Sequence, residues 1–109
     1  MTTSTLATEI ATAKAVKVNA DALIVELRDG RTVSVPLRWY PRLAAGRPAE
    51  RRNWELIGRG AGIHWPDLDE DISIEGLLIG RRSGESATSL QRWRVARRRP
   101  GNKRMEPTR

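Results

Sequence analysis

The sequence predicts a small α+β domain: an antiparallel β-meander of three to four strands, one or two short helices packed on it, and a basic C-terminal helix and tail. Three observations carry that expectation. Apolar residues alternate with polar ones on both sides of Asp29-Gly30, a pairing that favours a hairpin. Pro41 and Gly46 bracket one short segment after the third alternating run, and Pro48 opens another. Leu90, Trp93 and Ala96 or Arg97 recur at helical spacing among arginines.

Residues 1–10 hold five Thr or Ser and no apolar period, so they are assigned to a disordered leader. A first strand follows, in which Ala13 and Ala15 fall on one side and Val16 and Val18 on the other, and its facing stays open. Residues 19–22 have turn chemistry. Leu23, Val25 and Leu27 form the apolar face of a second strand, and Asp29-Gly30 suits a type I′ turn, which needs positive φ at both central residues. Val33, Val35 and Leu37 form the matching face of a third strand that Pro36 limits.

Pro41 suits the first turn of a short helix that Gly46 ends, and Pro48 starts another helical turn. Trp54, Leu56 and Ile57 return as a fourth strand. Gly58, Gly60 and Gly62 then imply a closely approached backbone. The segment GIHWPDLDEDISIEGLLIG, residues 62–80, is the most distinctive: an apolar entry, five carboxylates and an apolar exit. Its aspartates sit where a helix would start, with Asp69 or Asp71 as N-cap and Ile74, Leu77 and Leu78 on the inward face. Ser83, Gly84 and Ser86 mark a break, so the domain is bounded at residues 11–82, and residues 83–109 form the basic helix and disordered tail.

The net charge of +7 is unevenly placed. Residues 1–80 hold 10 basic and 11 acidic side chains, a balance of −1, whereas residues 81–109 hold 10 and 2, a balance of +8. The absence of Cys removes thiol chemistry and fits a reducing, cytoplasmic setting, and no apolar run approaches membrane-spanning length.

The segments DGRTVSVPLRWYPRL (29–43), NWELIGRGAGIHWPDLDEDISIEGLLIG (53–80) and SLQRW (89–93) resemble, in order and spacing, the bacterial family known as domain of unknown function 2442. The resemblance covers most of residues 13–95. It implies a small α+β domain with a meander and a helix after the Trp-Pro element, implies no catalytic activity, and suggests an antitoxin-like protein paired with a small toxin-like neighbour.

His64 with Asp67, Asp69 and Asp71 has metal-ligand composition, but one His and no Cys serve borderline metals poorly. A calcium loop starting at Asp67 puts Ile72 where Gly is required and Leu78 where a bidentate Glu belongs. No cofactor and no catalytic residue is assigned. Arg38, Trp39, Tyr40, Arg42 and Leu43 have the aromatic and Arg composition of an interface anchor, and with Trp65, Asp67, Asp69 and Glu70 they make the expected partner-binding surface. Arg92, Trp93, Arg94, Arg97, Arg98 and Arg99 are the expected nucleic-acid contacts, with Trp93 available to stack on a base. The same tail has two further expected partners: an acidic protein, or the acidic cluster of residues 67–75 in its own chain. Protein binding ranks first, nucleic-acid binding through the tail second, and a metal-dependent enzyme third.

Overall fold

The computed structural model describes residues 11–98, without the Arg98 side chain. The proposed leader, Arg99 and the tail beyond it lie outside the described residues. Two antiparallel meanders of three strands each share one core. The first holds β1 (Ala13–Val18), β2 (Ala22–Leu27) and β3 (Thr32–Pro36), and the second β4 (Glu55–Ile57), β5 (Gly62–Trp65) and β6 (Glu70–Ser73). Between them run α1 (Pro41–Ala45) and α2 (Pro48–Arg52); α3 (Ile74–Leu78) follows β6, and α4 (Ala87–Arg98) closes the described chain.

The first meander forms as its alternation dictates. Leu23, Val25 and Leu27 are buried, and Leu23 and Val25 stand opposite Val35 and Val33. Asn19 starts the β1–β2 turn by accepting the backbone N–H groups of Asp21 and Ala22 at 2.8 Å. The open question of how β1 faces has a physical answer: its register slips between Ala13, opposite Leu27, and Ala15, opposite Glu26. This bulge puts Ala13 and Val16 on the core side, which no strict period of two produces.

The β2–β3 hairpin differs from the expected type I′ turn. Of its loop residues only Gly30 has positive φ (97°), and Leu27 and Gly30 bracket Arg28 and Asp29 as a tight turn followed by a glycine bulge. Asp29 is released from the left-handed region by its own side chain, which accepts the Arg31 N–H at 3.0 Å and pairs with the Arg31 guanidinium at 2.7 Å.

The larger correction concerns the carboxylates. Neither Asp69 nor Asp71 caps a helix. Residues 66–69 reverse the chain, with Asp69 at φ 53°, and Glu70 and Asp71 belong to β6. The cap is Ser73, whose hydroxyl accepts the Gly76 N–H at 2.9 Å. Ile72 and Ile74 face inward while Asp71 and Ser73 face solvent, so the strand period persists through the acids before the helix begins. The expected inward face of the helix holds: Ile74 and Leu77 are buried and Leu78 packs against the core. The fourth strand pairs with β5 rather than with the first meander.

Two glycines seat the second meander against its surroundings. A Cβ at Gly60 (φ 91°) would stand 2.8 Å from the Ala13 carbonyl oxygen, and one at Gly46 would meet the Leu68 side chain at 2.8 Å. At Gly30 a Cβ would meet nothing within 4 Å, although φ is also positive. Gly30→Ala is therefore expected to cost about 1 kcal/mol, from backbone conformation alone. Gly60→Ala combines that cost with a backbone clash and is expected to lose on the order of 3 kcal/mol. Urea midpoints of the two variants measure the difference; equal losses would mean that the β1 contact at Gly60 is slack.

Candidate functional site

A cleft of about 580 Å³ lies between β6 and the segment that follows α3, with Tyr40 and Arg42 at its base. β6 supplies Glu70, Asp71, Ile72 and Ser73 on one wall, and residues 81–85 supply the other. Both walls are products of local sequence. Pro66 stops the β5 ladder, so the chain reverses and returns as an edge strand. Gly80, at φ 79°, redirects the chain out of α3, and the Arg81 N–H bonds back to the Gly76 carbonyl at 2.8 Å.

Arg42 ties the base of the cleft together. Its Nε and Nη2 donate to the two Glu85 carboxylate oxygens at 2.6 and 2.8 Å, while Nη1 donates to the Asp69 carbonyl at 3.0 Å and carboxylate at 3.3 Å. Its guanidinium also lies 5.2 Å from the centroid of the Trp93 ring. Glu85 accepts the Ser89 hydroxyl at 2.6 Å, and hydrogen bonding from Arg42 holds its carboxyl below the usual carboxylate range. Tyr40, buried under the cleft, donates its hydroxyl to the Arg81 carbonyl at 3.0 Å.

Glu70 is the exception among these acids. Among the described residues it has no hydrogen-bonded cation, and burial pushes its carboxyl up to about 7, with Arg42 opposing the shift and Glu85, Asp71 and Asp69 adding to it. On the outer face of the second meander, His64 Nδ1 is hydrogen-bonded to the Asp71 carboxylate, which raises the imidazole above its ordinary value.

The structure divides the expected partner surface. Tyr40, Leu43 and Trp65 are core residues, 3%, 0% and 0% exposed, so they anchor the fold and present no contact surface. Trp65 also donates its indole N–H to the Arg51 carbonyl at 3.0 Å. Arg38, Asp67 and Asp69 are exposed, while Trp39 and Glu70 are half-buried. Arg42, Asp69 and Glu70 converge with Tyr40 on the cleft, and Arg38 and Asp67 do not. Trp39 packs on the core, and the Arg82 guanidinium lies 4.8 Å from its ring centroid.

The expected nucleic-acid set divides as well. Arg92 and Arg94 are exposed on α4. Trp93 is not free to stack on a base: it packs on the core with the Arg42 and Arg97 guanidiniums against its ring. Arg97 pairs with Glu50 at 2.9 Å and reaches the Asp67 carbonyl at 3.4 Å. The helix thus folds back onto its own chain, meeting Glu50, the Asp67 carbonyl and Arg42 rather than the carboxylates of residues 67–75.

Arg81, Arg82 and Glu85 line the cleft and were absent from the sequence-predicted set. A signal existed for Glu85, one of only two acids in residues 81–109, because a lone carboxylate in a basic segment calls for a cation. Among the described residues no group of three His, Cys, Asp or Glu side chains is gathered to hold a metal ion, and no helix is long and apolar enough to cross a membrane.

Two measurements test this electrostatic arrangement. Glu85→Ala leaves the Arg42 fork with the 3.3 Å contact to Asp69 as its one charged acceptor among the described residues and is expected to cost about 2 kcal/mol, with faster hydrogen exchange in α4 than in either sheet. For pH, folded Glu70 keeps its proton to about 7 whereas unfolded Glu70 loses it near 4.5, so stability falls as pH rises across that interval. His64, raised above 6.5, contributes stability present below that value and lost as pH climbs through its folded pKa. Glu70→Gln is expected to flatten the profile between about pH 4.5 and 6.5 and to leave the later, His64-dependent fall. An unchanged slope would show that Glu70 titrates normally.

Two solved structures share the fold. A protein of unknown function from Rhodospirillum rubrum is 29% identical, with a TM-score of 0.60 over 68% of this chain and 92% of its own. An uncharacterized protein from Chromobacterium violaceum is 25% identical, with a TM-score of 0.62 over 84% of each chain. No curated protein matches. The sequence profile described as "Protein of unknown function (DUF2442)" matches residues 13–83, from the start of β1 to the outer wall of the cleft, and the chain belongs to that family.

Proposed function

We propose that the protein is a non-enzymatic, cytoplasmic protein-binding module, the antitoxin-like half of a pair with a small toxin-like protein. The observation that carries this reading is how the cleft spends its polar groups. Each hydroxyl lining it serves the fold: Tyr40 donates to the Arg81 carbonyl, Ser73 accepts from the Gly76 N–H and Ser83 from the Glu85 N–H. Of its carboxylates, Asp69 and Glu85 bind Arg42 and Asp71 binds His64. Glu70 has a pKa suited to proton transfer near neutrality, and among the described residues no hydrogen bond joins it to a hydroxyl. Such a cleft offers shape and charge to a binding partner.

Co-expression with the product of an adjacent short reading frame tests the reading. The expected result is a stable complex on size exclusion and relief of that product's toxicity. A neighbour that neither associates nor loses toxicity removes the proposal.

A second reading rests on Arg92 and Arg94, which are exposed with Val95 along α4. In this reading α4 contacts phosphates without reading bases, so affinity for duplex DNA falls with salt by a log–log slope of about −0.9 per phosphate neutralised. Arg92→Glu with Arg94→Glu is expected to reduce that slope by about 2; an unchanged slope places DNA binding elsewhere.

A further inference from the structure

The wall of the cleft formed by β6 is the edge of a sheet. In the order β4-β5-β6, β6 has a bonded neighbour on one side only among the described residues. Its polarity follows from the ladder. Ile74 donates its N–H to the Ala61 carbonyl at 2.9 Å, and Ile63 pairs with Ile72 and Trp65 with Glu70 in the same register. Antiparallel pairs alternate between bonded and non-bonded, so the backbone groups of Glu70, Ile72 and Ile74 point toward β5 and those of Asp71 and Ser73 point into the cleft. The Ser73 carbonyl sits at the N-cap position, where it accepts the first helical bond. The N–H and C=O of Asp71 and the N–H of Ser73 make no backbone bond beyond the ladder among the described residues. Both residues are exposed.

Across the cleft, residues 81–85 have no helical or strand structure and leave this edge uncovered, because the Ser83 N–H turns away to the Trp39 carbonyl at 3.1 Å. The charges on the two walls differ. Arg81 and Arg82 form no ion pair with any described carboxylate, whereas Arg42 and His64 are each matched by an acid. The cleft volume of about 580 Å³ lies within the range of ligand sites, roughly 300–1,000 Å³. A strand beside β6 would need only about 13 Å of extended chain, at ~3.3 Å per residue.

We infer that the cleft binds an extended segment of a partner protein by strand addition to β6, with the Asp71 and Ser73 backbone groups as the rail and an acidic side chain of the segment held by Arg81 and Arg82. The inference rests on the protein-binding reading above and names its mode. Main-chain bonds supply the affinity, and the unmatched arginines supply the preference for an acid.

A displayed library of random heptapeptides, panned on the full chain, tests it. Retained peptides are expected to be enriched in Asp or Glu and to shift the Asp71 and Ser73 amide resonances. N-methylation at alternate amides of a retained peptide is expected to weaken binding at least tenfold, and Arg81→Glu with Arg82→Glu to exchange the acidic preference for Lys or Arg. The methylation arm needs no protein variant and so is independent of folding. Failure to retain any peptide, indifference to methylation at every amide, or shifts centred on α4 would each overturn strand addition. A neighbouring protein bound equally by wild type and by the Arg81→Glu, Arg82→Glu variant would leave the binding reading standing and remove this mode.

Discussion

One guanidinium fixes the relation between the parts of this domain. Arg42 projects from α1, a helix of five residues with no stability of its own, and meets Glu85, Asp69 and the Trp93 ring. Those three groups lie on three separate stretches: the segment after α3, the β5–β6 turn and α4. A planar fork of donors bonds all of the polar ones at once, which an ammonium group lacks the geometry to do. The cleft exists because this fork holds its outer wall at a set distance from β6, and α4 docks where it does because the same fork backs Trp93.

Around that clasp the architecture follows from two meanders with one shared interior. Among the described residues each sheet has three strands, too few for much stability alone, and each is buried on the side facing the other elements. Trp65 and Tyr40 fill much of the space between them in a chain with no Phe. Their polar ends are satisfied by the carbonyls of Arg51 and Arg81, so the two large aromatic residues position loops as well as filling volume. This double use explains why residues with the composition of a contact surface lie inside.

What was legible in the sequence is what local chemistry decides. Alternation over residues 23–35, the position though not the type of the Asp-Gly turn, the Pro-led helices α1 and α2 and the inward face of Ile74 and Leu77 are all local properties, and the structure has each of them. The helix caps were misassigned because carboxylates before an apolar run are ambiguous: Asp69 and Asp71 have good capping chemistry, yet Ser73 competes for the same role and the alternation Glu70, Ile72, Ile74 favours a strand. The cleft was hidden for a different reason. Its walls are separated in sequence by α3, and the residues that close it, Arg42 and Glu85, lie 43 positions apart. No local pattern reports such a pair. The composition of residues 38–43 likewise marked a segment rich in anchoring side chains without showing whether it anchors a partner or the core.

Among the described residues the two meanders together carry four unpaired borders, and they are unequally protected against self-association. On β1, Lys14 and Lys17 are exposed and a bulge distorts the ladder; β3 ends in Pro36; β4 is three residues long. β6 has only the neighbouring wall and its acids. In a crowded cell the border most open to a stray strand is therefore the one beside Asp71, and like-charge repulsion between two copies presenting Asp71 there discourages fibre-like growth.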